Sequence, residues 1–188
     1  MNPNYKLRVN EAVSVKKDKK TPPMKIVVMT IAGILLVGSF VFGDNLFMEM
    51  SWTARFLFCM LFFGTVLTGG KREDEPSPAE IWFFDDYLVI YREKRYNSTA
   101  RKYRMEYTTI RYSGLNECEH DTKMKRLSFR GDMHFKIYEY DGNGVVSTTA
   151  KHDNFATGGI DCIRTLFAPD VDFASEIEAH STIKVKVT

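Results

Sequence analysis

Cys118, His120 and Asp121 crowd into one short stretch of this chain, and six cations, Arg92, Lys94, Arg95, Arg101, Lys102 and Arg104, gather in another. A thiol beside an imidazole is the raw material of a nucleophile and its base, and Cys-x-His-Asp offers ligands to zinc. A structural zinc site needs a second ligand pair at a compatible spacing. His134 and His152 could supply it only if the fold recruits them. No C-x-x-C pair links Cys59, Cys118 and Cys162, and no G-x-S-x-G presents a serine. Gly64 and Gly69 have the separation of a phosphate-cradling loop, but Gly70 stands where the lysine is needed. Asp141-Gly142-Asn143-Gly144 lacks a calcium loop's glycine at the sixth position and glutamate at the twelfth, where Val146 and His152 stand, so it is a turn. The residues therefore assign no catalytic, cofactor-binding or metal-binding position and no cofactor. The three cysteines are expected as small buried hydrophobes.

The six cations lie in a region dense in aromatic residues. Trp82, Phe84, Tyr87 and Tyr91 share one face of a predicted hairpin, a face that is polar in an ordinary exposed sheet. Those four and Arg92, Lys94, Arg95, Arg101, Lys102 and Arg104 together make the candidate interaction surface. The plain alternatives are a solvated basic face and aromatics covered by a last strand around Ile183 to Val187.

Two apolar runs, 26–43 and 51–70, must be placed first among the elements. Each has about the length of apolar helix that spans a bilayer. Lys16, Lys17, Lys19, Lys20 and Lys25 precede them, Lys71 and Arg72 follow, and the connection carries Asp44 and Glu49. The positive-inside rule then predicts a transmembrane hairpin, residues 24–70, in a multi-pass protein of the plasma membrane with both termini cytoplasmic. Trp52 and Arg55 read as boundary residues of the second run, and self-association through the spans is an expected mode. Residues 1–23 read as a basic, disordered leader and 71–78 as a charged, Pro-containing linker. With 26 Lys and Arg against 24 Asp and Glu, the net charge of +2 leaves no nucleic-acid footprint.

Residues 79–188 suffice for one core. Ile81–Phe84 and Tyr87–Tyr91 flank Asp85-Asp86 as a hairpin, with Ile81, Phe83, Leu88 and Ile90 on the core face. Strands are expected over 101–107, 110–118, 125–130, 134–140 and 145–150. A helix is expected over 160–167 from the spacing of Ile160, Ile163, Leu166 and Phe167, then a shorter one over 171–180 and a last strand over 183–187. About seven short strands closed by a C-terminal helix give an α+β chain: a two-helix transmembrane hairpin followed by a mostly β barrel or roll.

Residues 79–91 resemble the opening hairpin of bacterial pleckstrin-homology-like domains, residues 101–110 resemble the segment that follows it, and the two preceding runs are similar in layout to the YcxB-like family of membrane proteins. The resemblance implies a non-enzymatic, membrane-anchored interaction module whose PH-like domain binds a protein, a peptide or the lipid surface. Partners expected on this reading are the bilayer and a protein, with no nucleic acid. Two alternatives are an accessory subunit of a transporter or channel and a membrane-anchored enzyme whose site, around Cys118, His120 and Asp121, assembles only in three dimensions.

Overall fold

A computed structural model describes residues 2–16, 26–31, 33–34, 49–67, 72–97, 99–100 and 102–188. The chain divides into two units, one of Met1–Val15 with Glu73–Thr188 and one of Lys16–Arg72.

In the smaller unit, residues 26–31 and 33–34 are helical, and α1 spans Trp52–Leu67, 16 residues. Ser51 Oγ accepts from the Ala54 amide, Arg55 Nε donates to the Met50 carbonyl, and Trp52 stacks on Phe56. Among the described residues no helix is long and apolar enough to cross a membrane. Sixteen helical residues rise about 24 Å, short of the roughly 30 Å of a hydrocarbon core. This corrects the expected transmembrane hairpin and, with it, the multi-pass plasma-membrane placement with cytoplasmic termini. The connection through residue 48 and most of the first run lie outside the described residues.

The larger unit is one seven-stranded sheet. Its strands are β1 (Tyr5–Lys16), β2 (Arg72–Phe83), β3 (Tyr87–Asn97), β4 (Lys102–Asp121), β5 (Arg126–Glu139), β6 (His152–Arg164) and β7 (Val185–Val187). β1 to β6 are neighbours in chain order, and β7 lies off this path, parallel to β4. The predicted hairpin forms: Phe83 pairs with Leu88 and Ile81 with Ile90, and all four are fully buried.

Several elements differ from expectation. The leader supplies β1, whose Leu7, Val9, Glu11 and Val13 alternate inward beneath Lys, Arg and Asn neighbours. The linker is the first half of β2; Pro76 and Pro78 fit because the registered pairs with β3 begin only at Glu80. The expected strands 101–107 and 110–118 are one bent strand, β4, irregular between Ile110 and Glu117. Likewise 125–130 and 134–140 are joined as β5. Of 145–150 only Val146 pairs, as a bridge to Tyr140.

The helix expected over 160–167 is the end of β6 followed by a 3-10 turn, Thr165–Phe167. Asp161, Ile163 and Thr165 point inward at period two while Ile160 is 53% exposed, so the helical spacing of apolar residues was misleading. The closing helix is instead α2 (Phe173–His180), started by Asp172, whose side chain accepts from the Ser175 amide. An eight-residue helix has little stability of its own, and α2 is held by burial of Phe173 and Ile177. Tyr5 stacks on His180 and donates to Glu176, and His120 packs edge-on against Phe173, so α2 closes the apolar end of the core.

Where β4 and β5 bend past one another, a Cβ on Gly131 would stand 2.2 Å from the Gly114 carbonyl oxygen and 2.8 Å from Leu115 Cα. Backbone against backbone cannot yield as a flexible side chain does. Gly131→Ala should therefore cost about 1–3 kcal/mol in urea unfolding of the full chain, whereas Gly142→Ala, with nothing within 4 Å, should stay within about 0.5 kcal/mol.

Candidate functional site

The ten residues of the expected interaction surface are divided by the fold. Alternation along β3 carries Leu88, Ile90 and then Arg92 inward, and Arg92 is 0% exposed. Its Nη1 and Nη2 donate to Asp161 Oδ2 and Oδ1 of β6, both at 2.9 Å, its Nε donates to Glu11 of β1 at 3.1 Å, and Nη2 also reaches the Cys162 carbonyl at 3.1 Å. Burial by itself would raise the Asp161 carboxyl, but the Arg92 charge and hydrogen bonds, with one from Thr108, hold it below its ordinary range. Burial likewise opposes the Arg92 charge; Asp161, Glu11 and Glu106 outweigh it and raise the guanidinium. Arg92 is therefore a structural cation and no part of a docking surface.

Arg95 and Arg104 face each other across β3 and β4, directly beyond this cluster. Like charges opposed on a sheet repel, and Glu106, 5% exposed, lies between them. Arg95 Nη1 donates to Glu106 Oε2 at 2.8 Å, and Arg104 Nε lies against Glu106 Oε1. Arg92, Arg95 and Arg104 balance Glu11, Glu106 and Asp161, so the network is neutral. Arg101 lies outside the described residues.

Trp82, Phe84, Tyr87 and Tyr91 do share the outer face, half-buried. Their cover is mutual: Trp82–Tyr91 and Tyr91–Tyr107 centroids are 4.9 Å apart, Tyr107–Tyr138 6.0 Å and Phe84–Tyr87 4.5 Å, and the Lys6 ammonium stands 4.7 Å over Trp82. β7 lies instead on β4 at Cys118–His120, correcting the expectation that the C-terminal strand covers these rings. Each such aromatic pair stabilises the sheet by roughly 0.5–1.5 kcal/mol. Burial and neighbouring groups push Tyr91 up to about 12. The shallow depression here, about 530 Å³, is bordered by His134 and Lys136, which share Asp153 at 2.5 and 3.3 Å.

Lys94 and Lys102 belong to a deeper groove of about 760 Å³, which the sequence reading missed. Tyr96, Tyr103 and Tyr140 wall it with Val13, Val15, Pro76 and Pro78. Tyr96 and Tyr103 are cross-strand partners with centroids 5.4 Å apart, Tyr103 is 49% exposed, and Tyr140 donates to the Glu93 carbonyl while Lys94 stands 5.8 Å over its ring. Asp141 closes the turn beneath, its carboxylate accepting from the Asn143 and Val145 amides, and Gly144 takes the positive φ (+78°) the turn requires. The signal for this groove was a cross-strand tyrosine pair at the far end of one hairpin.

Cys118, His120 and Asp121 do not converge. Cys118 is 2% exposed, and burial, with Glu117 and Glu178 nearby, pushes its thiol up to about 12. His120 packs on Phe173, and Asp121 accepts from the Lys123 and Met124 amides. Among the described residues no three His, Cys, Asp or Glu side chains are gathered to hold a metal ion. No family model, curated protein or solved structure matches this chain.

Arg164 joins the edges of the rolled sheet from outside: its Nη atoms donate to both Asp74 oxygens, at 2.7 and 2.6 Å, and to Ser14 Oγ at 3.1 Å. The hydrogen bonds from Arg164 and then Ser14 hold the Asp74 carboxyl at about 2, below its ordinary 3.8. A carboxyl lowered by folding stabilises fully above its unfolded pKa and loses that contribution as pH falls through the folded one. The stability difference between the native chain and Asp74→Asn should thus be constant above about pH 5, shrink toward pH 2 and vanish below it in acid titrations. Arg92→Met strands Glu11 and Asp161 and should cost about 3–5 kcal/mol in denaturant unfolding, most of it regained when Glu11→Leu and Asp161→Leu are added.

Proposed function

We propose that this chain is a non-enzymatic interaction module that holds a short protein segment in the tyrosine groove between Tyr96, Tyr103 and Tyr140. The groove itself carries the reading: it is concave, its volume falls within the few hundred to a thousand Å³ typical of binding clefts, and its walls combine flat aromatic surface with few polar groups. Tyrosines lose little rotamer entropy when they pack against a partner, which suits them to anchor extended or proline-rich segments. Lys94 and Lys102 are matched in the lining by Glu75 and Asp141, so the groove selects by shape and aromatic surface rather than by net charge. The reading is non-enzymatic because Cys118, the thiol best placed in sequence to act as a nucleophile, is enclosed by the core.

A photoreactive phenylalanine analogue at position 103 of the full chain, expressed in its native cells, should give adducts of discrete mass. The same group at Met124, which is 71% exposed and away from the groove, should give none. Tyr96→Ser should reduce the adducts about tenfold. Equal adducts at both positions, or none at 103, would overturn the reading.

A further inference from the structure

The tyrosine groove leaves its donors and acceptors unevenly engaged. Alternation along the strands sets Pro76 and Pro78 of β2, Lys94 and Tyr96 of β3 and Tyr103 of β4 on the outer face, while Ser77 is buried and Arg95 and Arg104 turn to Glu106. Tyr140 follows β5 on the same side, where the Lys94 ammonium stands over its ring. The hydroxyls of Tyr96 and Tyr103 and the Lys94 ammonium have no hydrogen-bond partner among the described residues. The acceptors around them are taken: the Lys94 carbonyl by the Ser77 hydroxyl at 3.1 Å, the Glu93 carbonyl by Tyr140, and Asp141 Oδ1 by the Asn143 and Val145 amides. Glu75 likewise has a partner. Pro76 and Pro78 are exposed and carry no N–H, so the backbone of β2 offers an added strand no donor at those two positions.

Resting on the groove reading above, we infer that the segment held there is proline-rich and adopts the polyproline II conformation. A prolyl residue brings a carbonyl acceptor, an apolar ring and no N–H, and in polyproline II none of its carbonyls is bonded within the chain. Such a ligand accepts from Tyr96 and Tyr103 and needs none of the acceptors already engaged, while its rings lie against the faces of Tyr96, Tyr103 and Tyr140 and beside Pro78. A segment with an N–H at every residue buries donors that the groove does not satisfy. The ligand needs no charge, in keeping with the balance of Lys94 and Lys102 against Glu75 and Asp141. Its conformation is largely set before binding, so little ordering entropy opposes association.

Isothermal titration of the full chain compares acetyl-octaproline amide with an acetylated Ala-Ser octapeptide amide, equally uncharged but with an N–H at every residue. Octaproline should bind at least about tenfold more tightly. Tyr96→Phe and Tyr103→Phe keep the rings and remove the donors, and each should weaken octaproline binding roughly fivefold with thermal unfolding unchanged. Tyr140→Phe, which loses a hydroxyl already bonded to Glu93, and Met124→Ser, away from the groove, should change it less than about twofold. Equal affinity for the two octamers, no octaproline binding, or unaltered affinity in either the Tyr96 or the Tyr103 variant would overturn the inference. Discrete adducts from position 103 in cells together with no octaproline binding leave the groove reading in place and overturn this inference alone, whereas absence of both overturns the two together.

Discussion

An arginine that is wholly enclosed must be neutralised where it stands, because an unpaired guanidinium out of water costs several kcal/mol. Arg92 occupies the inward position after Leu88 and Ile90, so the alternation that builds the core also carries a charge into it. Its counter-charges come from the two extremes of the strand order, Glu11 on β1 and Asp161 on β6. In a flat sheet those strands would lie five strand spacings apart, about 24 Å. One guanidinium bonded to both requires the sheet to roll, and Arg164 repeats the closure outside by joining β6 to Asp74 of β2 and Ser14 of β1. A buried ion pair adds little net stability compared with a well-packed apolar substitute. Its effect here is geometric: it selects the one arrangement in which both outer strands meet β3.

That constraint gives the interior two unlike ends. Toward α2 the core is aliphatic and aromatic, sealed by Phe173, Ile177, Tyr5 and His120. Toward the far end of the β3–β4 hairpin it is ionic. The tyrosine groove borders that end. Tyr96 pairs with Tyr103 and the adjacent Arg95 with Arg104, so strand alternation sends one pair to the groove and the other to the charged cluster. Groove and charged cluster share backbone while facing different sides of it.

The hairpin was legible in the sequence because its two strands alternate apolar and aromatic residues around an obvious turn, and Ile81, Phe83, Leu88 and Ile90 read directly as core. Beyond them the same alternation had placed Arg92 inward, but a cation in a run of cations looks like surface, and nothing local reveals that its partners lie 81 and 69 residues away. The same concealment affected β1 and β6. Glu11 interrupts the apolar inward series of β1, which therefore read as a polar leader, and Asp161 does so in β6, whose outward Ile160 then lent itself to a helical period. Each misread strand contributes one carboxylate to Arg92. The groove escaped notice for a related reason: its walls come from β1, β2, the β3–β4 hairpin and the turn after β5, so no contiguous stretch carries its pattern.

Charge and hydrogen-bonding capacity do not balance together at the ionic end. Three arginines match three carboxylates in charge, but each guanidinium carries five N–H donors and each carboxylate offers about four lone-pair sites. Arg92 uses its donors on Asp161, Glu11 and the Cys162 carbonyl and approaches Glu106 at 4.0 Å, so little of it is left over. The surplus falls on the outermost pair, and chiefly on Arg104, which shares one carboxylate with two other cations. A neutral cluster with unspent donors at its mouth does not attract ions over long distances, because it has no net field to steer them.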